Sequence, residues 1–445
     1  MRIARGEETL VNPYIRSNVG RRAPDTVMKA AMKNALALLV TAFVVGAAQA
    51  DPVSVLFVGN SYTFGRVDPV MSYNTANVRD PTVPMWLANS NGSNAFEPHP
   101  WGGVAGIFKQ FTVQAGLDYD VALSSRNAAS LRGHMLNSNP DGWDMRGNIA
   151  SQTWSKVVLQ EQSDEPLARR AGLGSNPEYF RFYAGTTENF VHSSATSATI
   201  RDRDAFPGVT TTERQAACEM TGTSSVTCSR SRGTFANVNA SAATEMVLYQ
   251  TWARPNLVDG AFATSTNDLT GAVTRTGAAA TTYFPDLEAM TAELKASYQA
   301  ALDQSKLDGS VGFSAIAPVS ESFLRAVTSG IATRDMYAAD ATTDGLIDLW
   351  FDDGTHASKY GSYLSALTLF GSLTGRDPAS LGAKEIAAQD LGISVVDALS
   401  LQRVASAQLG FAAAVPEPET WAMLLAGLGL IGAIARRNRR MPLAR

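Results

Sequence analysis

Apolar residues cluster along the chain in short runs separated by longer stretches with a helical period. The runs 53–58 (VSVLFV), 119–124 (YDVALS), 156–160 (KVVLQ), 246–250 (MVLYQ) and 311–317 (VGFSAIA) are rich in Val, Leu and aromatic residues, and each is bounded by polar or turn-forming residues. Runs of that length predict buried strands, and their spacing suits parallel pairing through helical crossovers. Helical periodicity is clearest at 284–305 and 357–373. Together these patterns predict an α/β fold, a three-layer α/β/α sandwich with a mainly parallel sheet. The pattern weakens at 165–240, which is polar and rich in Ser, Thr, Ala and Arg. That stretch reads as an insertion or lid over the sheet's edge. Helical composition returns at 379–411, residues 412–419 read as a linker, and no internal repeat is present. The central domain is therefore expected to span 51–378.

The two ends carry a different pattern. Residues 28–50 combine a lysine-bearing start, an apolar stretch from Ala35 to Val45 and a closing Ala-Gln-Ala. This order is that of a secretory signal, with cleavage expected after Ala50. Residues 1–27 are polar and Arg-rich and precede the signal, so they read as a start codon assigned too early, with Met28 or Met32 as the true start. Near the other end, residues 421–435 are apolar and would make a helix about 22 Å long, short of the roughly 30 Å hydrocarbon core. Trp421 at one rim and Arg436, Arg437, Arg439 and Arg440 at the other would anchor it, with the arginines on the cytoplasmic side. Val-Pro-Glu-Pro, the short apolar helix and the basic tail at 415–440 resemble the PEP-CTERM sorting signal of Gram-negative bacteria that make exopolysaccharide. The resemblance implies a transient inner-membrane anchor, removed by a sorting protease of the exosortase type. It also implies delivery to the periplasm, cell surface or extracellular matrix.

Composition narrows the classes. With 18% charged residues and a formal net charge of -4, the chain offers no basic stripe for nucleic acid. Its only cysteines, Cys218 and Cys228, lie close together in a Ser/Thr/Gly-rich stretch and can close a small disulfide loop in an oxidising compartment. No second Cys or His pair at ligand spacing accompanies them, so no metal site is expected.

Candidate chemistry begins where the first run ends, in VSVLFVGNSYTFG (53–65). In open α/β sheets ligands bind beyond the carboxyl ends of the strands, and Ser61 falls there, after the turn that Gly59 permits. Far along the chain, LWFDDGTHASKYG (349–361) sets Asp353 three residues before His356. At that spacing the carboxylate can accept from one imidazole nitrogen while the other points outward, as a general base requires. Of the four histidines, 99, 134, 192 and 356, only the last has an orienting acid apparent in the sequence.

Gly59-Asn60-Ser61 early and Asp353-Gly354-Thr355-His356 late resemble the SGNH (GDSL-like) hydrolase superfamily, as a divergent branch. The resemblance implies Ser61 as nucleophile, His356 as general base and Asp353 as its partner, with no cofactor. It also implies oxyanion donors after the second and third strands. Gln162 falls on the family's asparagine position with Gln160 as the second choice, and Asn127 or Ala128 falls on its glycine position, WGGVAG (101–106) being another glycine source. The implied activity is a secreted serine esterase acting on an extracellular ester such as acylated polysaccharide. The other reading is an inactive relative that binds glycan or matrix. Trp252 and Arg254 are candidates for the cleft wall, as are Ser320 and Glu321; Asp352 reads as solvated, and Trp86 and Trp101 as packing residues.

Overall fold

The computed structural model describes residues 51–88, 90–91, 99–136, 144–193, 200–231, 236–267, 272–307 and 309–411. The expected N-terminal extension, signal peptide, linker and C-terminal apolar helix lie outside these residues. Seven strands are present among them: β1 (Val53–Gly59), β2 (Tyr119–Ser125), β3 (Lys156–Gln160), β4 (Glu245–Tyr249), β5 (Phe262–Thr266), β6 (Val273–Ala279) and β7 (Ala315–Ala317). Five form one sheet in the order β2-β1-β3-β4-β7, every pair parallel. β5 and β6 make a separate antiparallel hairpin. The fold is thus the α/β sandwich expected from the apolar runs.

Strand burial explains why the runs are continuous rather than alternating. Val55 to Gly59, Val121 to Ser125 and all of β3 are buried, because helices cover both faces of the sheet. The Gly103–Gln114 helix packs on the Lys359–Thr374 helix, which is backed in turn by Val395–Gln408. The crossovers after β2, β3 and β4 supply the Leu131–Leu136, Pro177–His192 and Leu287–Leu307 helices, which pack on one another in sequence. Right-handed crossovers place these two groups on opposite faces.

Two expectations need correction. The weakly periodic 165–240 stretch contains the 16-residue Pro177–His192 helix, an integral crossover of the sandwich, followed by the shorter Thr211–Glu219 and Ser225–Ser229 helices, which a Cys218–Cys228 disulfide joins. The first turn of Pro177–His192 carries clear local signals, with Asn176 capping Tyr179 N–H and Pro177 at the first position, but Thr187 and Glu188 on the buried side blur the apolar stripe. The last strand is also shorter than the run that announced it. Gly312 has φ +80 and Pro318 follows the strand, so only Ala315–Ala317 pair.

The strand order reverses direction at β1, with β2 on one side and β3 on the other. In parallel sheets of this order the crevice beyond the carboxyl ends at that switch point is where ligands bind.

Candidate active site

β1 ends at Gly59, and the chain turns at once into the one-turn Ser61–Phe64 helix. Asn60 caps it by accepting from Tyr62 N–H at 3.0 Å. The turn is latched from both neighbouring strands. From the β3 side, Gln160 Oε1 accepts from Asn60 N–H at 2.8 Å and from the Thr63 hydroxyl at 2.9 Å. From the β2 side, Asn60 Nδ2 donates to Ala129 O at 3.0 Å, and Arg126 N–H donates to Gly59 O at 3.1 Å. A Cβ on residue 59 would run into both Thr63 Oγ1 and Gln160 Oε1, so only glycine allows the two to close behind the turn.

The base arrives on a loop after β7. Trp350 and Ala357 form an antiparallel bridge, Phe351 N–H donates to His356 O at 2.8 Å, and Ser358 caps the Lys359–Thr374 helix that follows. Inside the loop Gly354 has φ +64, and a Cβ there would overlap the Tyr337 hydroxyl. Asp353 Oδ1 accepts from the backbone N–H of Thr355 at 2.8 Å and of His356 at 2.9 Å. Its other oxygen faces His356 Nδ1 at 2.6 Å, and His356 Nε2 lies 2.9 Å from Ser61 Oγ. Burial works against ionisation of Asp353, but the hydrogen bond and charge of His356, with the two backbone donors, hold the carboxyl below its ordinary range. An ionised Asp353 accepts Nδ1–H, which leaves Nε2 as the acceptor for the serine proton.

Two aromatic residues fasten this loop to the serine turn. Tyr62 donates its hydroxyl to Thr355 O at 2.7 Å, and Trp252 donates Nε1–H to the same carbonyl at 3.0 Å. Their rings stack at 4.0 Å and 6°, Phe323 continues the stack on Trp252 at 5.0 Å, and Tyr62 meets the His356 ring edge-on at 5.7 Å. Trp252, a candidate for the cleft wall, is instead fully buried. Tyr62 follows Ser61 directly, yet nothing in its neighbours signals this role, because its partners lie about 190 and 290 residues away.

The remaining candidates divide. Gln160 is fully buried, its Oε1 holds the turn and its Nε2 donates to Glu161 O, so it is a strut behind Ser61 rather than an exposed donor. Gln162 Oε1 accepts from Asp164 and Glu165 N–H at 3.0 and 3.3 Å, while its Nε2 has no acceptor among the described residues. Asn127 and Ala128 lie on the loop latched to Asn60, and Ala128 takes φ +54, a backbone conformation that favours glycine. Among the described residues no acceptor takes the backbone N–H of Ser61, Asn127 or Ala128. Arg254 reaches the base loop through Thr355 Oγ1 at 3.4 Å. Glu321 pairs with Lys295 at 3.4 Å, Ser320 is buried and Asp352 is exposed. Trp101 is packed between Phe64 and His99. Trp86 lies beside His99, 5.8 Å between ring centroids. Among the described residues no group of three His, Cys, Asp or Glu could hold a metal ion.

Two further histidines find partners that the sequence did not disclose. His192 does have an acid nearby, Glu188 Oε1 at 2.5 Å one helical turn earlier, and its other nitrogen meets Thr244 O at 2.8 Å, so it ties a helix to β4. His134 is buried with Nε2 2.8 Å from Gly59 O, the carbonyl at the root of the serine turn. Burial lowers His134 to about 4, outweighing the hydrogen bond to Gly59, so the ring is neutral at pH 7 and Nε2–H donates. The unfolded chain would take up that proton near 6.5, so the folded state loses about 3 kcal/mol of stability from this group as pH falls from roughly 6.5 to 4. Buried Glu161 and Glu165, the latter pushed up to about 8 mainly by burial, act in the opposite sense as pH rises. The His134 contribution is therefore isolated by difference. Urea unfolding of the parent and of His134→Gln at pH 7 and 4.5 is expected to show a flatter acid limb in the variant, and parallel profiles would refute the assignment.

A parallel α/β sandwich with a hydrogen-bonded Ser61, His356 and Asp353 at its switch point defines the class of molecule. Residues 414–440 match the PEP-CTERM protein-sorting motif, which marks the chain for export in Gram-negative bacteria through an exosortase-type sorting system. Among the described residues no helix is long and apolar enough to cross a membrane. No curated protein matches the chain. Among solved structures, a candidate SGNH hydrolase from Slackia heliotrinireducens aligns at 15% identity and a TM-score of 0.33, covering 73% of this chain and 100% of its own. A DUF4886 family protein from Bacteroides uniformis aligns at 12% identity and a TM-score of 0.38, covering 83% of this chain and 98% of its own.

Proposed function

We propose that this protein is an exported serine acyl hydrolase that cleaves an ester outside the cytoplasm. The observation carrying the proposal is the unbroken chain Ser61 Oγ, His356 Nε2, His356 Nδ1, Asp353 Oδ2, with links of 2.9 and 2.6 Å. Nucleophile and base within hydrogen-bond reach, with a third group orienting the base, is the arrangement that activates a serine hydroxyl. His356 takes the Ser61 proton as Oγ bonds to the ester carbonyl carbon. The carbon–oxygen bond to the alcohol then breaks, and the imidazolium returns the proton to the departing oxygen. Water, deprotonated by the same ring, attacks the acyl-serine and releases the carboxylic acid and Ser61.

The carbonyl oxygen carries charge between these bonds and needs donors. We assign that role to Ser61 N–H and the N–H groups of Asn127 and Ala128, none of which meets an acceptor among the described residues, with Gln162 Nε2 as a third. The signal-like segment 28–50 and the sorting motif fit a route through the inner membrane, with the tail as a transient anchor. Incubation of the full chain with a fluorophosphonate probe is expected to label Ser61 and to stop hydrolysis of 4-nitrophenyl acetate. Labelling absent in a folded protein that also hydrolyses no ester would favour an inactive binding module and overturn the proposal.

A further inference from the structure

Ser61 follows β1, whereas the other candidate oxyanion donors follow β2 and β3, which flank β1 and are not paired with each other. Strands two places apart in a sheet are separated by roughly 10 Å. Sheet pairing alone therefore does not fix the gap across which the donors must converge on one oxygen.

Glu161, between Gln160 and Gln162, spans that gap. It is buried, and its Oε1 accepts from Leu131 N–H at 2.9 Å and from Gln162 N–H at 2.7 Å. Leu131 comes just after a turn in which Ala129 N–H donates back to Arg126 O at 3.3 Å, with Asn127 and Ala128 at its centre. Gln162 is held twice, its N–H by Glu161 and its Oε1 by the N–H groups of Asp164 and Glu165. Gln160 Oε1 ties the end of β3 to the serine turn, Asn60 Nδ2 ties the serine turn to the loop after β2, and Glu161 Oε1 ties that loop back to the end of β3. The three segments that carry the donors thus close a circuit of hydrogen bonds, and Glu161 supplies the link that bypasses the serine turn.

This task needs an acceptor of the right reach and no charge. A carboxylate one residue from an oxyanion donor would oppose the negative charge that develops on the substrate. Burial, with Glu165 beside it, pushes the Glu161 carboxyl well above its ordinary range, toward the neutral acid. Its Oε2 meets no partner among the described residues, so no hydrogen bond there offsets the cost of a buried charge. The neutral acid still offers Oε1 to both N–H groups.

We propose that Glu161 is a positioning residue for acyl transfer, its Oε1 setting the spacing between the oxyanion donors after β2 and those after β3. The role rests on the acyl-hydrolase reading of Ser61 and adds to it a residue that touches neither the nucleophile nor the base.

The test uses the full chain with Glu161→Gln, which keeps Oε1 and its reach, and Glu161→Met, which keeps the length and removes the acceptor. The readouts are kcat and KM for 4-nitrophenyl acetate and Ki for trifluoroacetone. Ser61 Oγ adds to the carbonyl carbon of this ketone as its proton passes to His356, and the ketone oxygen becomes an oxyanion that needs the same donors. Glu161→Gln is expected to stay within threefold of the parent in both kcat and Ki. Glu161→Met is expected to lower kcat about 100-fold, as for donors misplaced by about 1 Å, to raise Ki by a similar factor and to leave KM nearly unchanged. The proposal is overturned if Glu161→Met stays within threefold of the parent, if Glu161→Gln falls as far as Glu161→Met, or if kcat falls while Ki does not move. Where Glu161→Met does not fold, Glu161→Asp takes its place: its carboxyl is one carbon short of Leu131 N–H, the same losses are expected, and parental kcat would overturn the role. A parent that labels with fluorophosphonate and cleaves ester while Glu161→Met matches it removes Glu161 alone. A folded parent that does neither fails the hydrolase reading, and the positioning role falls with it.

Discussion

Asp353→Asn is expected to lower kcat for ester hydrolysis by about four orders of magnitude with the fold intact. The size of the effect follows from how the carboxylate is held. Oδ1 already accepts from two backbone N–H groups, of Thr355 and His356, at 2.8 and 2.9 Å. An asparagine amide must keep its oxygen there, since the reverse orientation would point its NH2 at two donors. The NH2 group then faces His356 Nδ1, which has to become the acceptor, and the ring's proton moves to Nε2. In that tautomer His356 donates toward Ser61 and cannot take its proton. The loop itself keeps its two backbone bonds, so the unfolding midpoint in urea should move little while kcat collapses. A variant that retained a tenth of parental kcat would remove Asp353 from the proton-transfer chain.

Some of this site is readable from local sequence and some is not, for reasons that differ by residue. The turn after β1 is legible because an apolar run and a Gly-Asn-Ser turn are contiguous. The Asp353–His356 pair is legible because three residues within one loop fix which groups meet. Gln160 reads from the sequence only as the second choice for an oxyanion donor, since a strand end alone does not show what its side chain meets. Its role is decided by β1 lying beside β3, which turns its Oε1 onto Asn60 N–H. His134 and Trp252 are beyond local reading altogether. Each touches the site through a single nitrogen aimed at a carbonyl, Gly59 O or Thr355 O, in a segment remote along the chain. The same limit hides the crossover helix at Pro177–His192. Thr187 and Glu188 occupy its buried face, Thr187 bonded to Tyr183 O and Glu188 Oε1 to His192 and Gly312, so polar residues stand where an amphipathic stripe would be sought.

The double clamp on Thr355 O makes the second large prediction, and it bears on how an early serine and a late histidine hold a fixed separation. Thr355 immediately precedes His356, so a shift of its carbonyl rotates the peptide that carries the imidazole. Tyr62 and Trp252 both donate to that carbonyl, and their stacked rings, backed by Phe323, leave the two donors little freedom of their own. Because Tyr62 also directly follows Ser61, one side chain links the nucleophile's turn to the base's loop. Tyr62→Phe and Trp252→Phe each keep a ring in the stack and delete one donor, and the surviving donor should hold the carbonyl with a several-fold loss of kcat. Together they leave the carbonyl with neither, and a displacement of the imidazole of about 1 Å is enough to lose about 100-fold. The double variant is therefore expected to lose more kcat than the product of the single losses, with a coupling of about 0.5–3 kcal/mol. KM for 4-nitrophenyl acetate should change much less than kcat, because ground-state binding does not need the serine–histidine hydrogen bond. If the two substitutions instead combine multiplicatively, or act on KM alone, the aromatic pair serves packing and the alignment of Ser61 with His356 has another source.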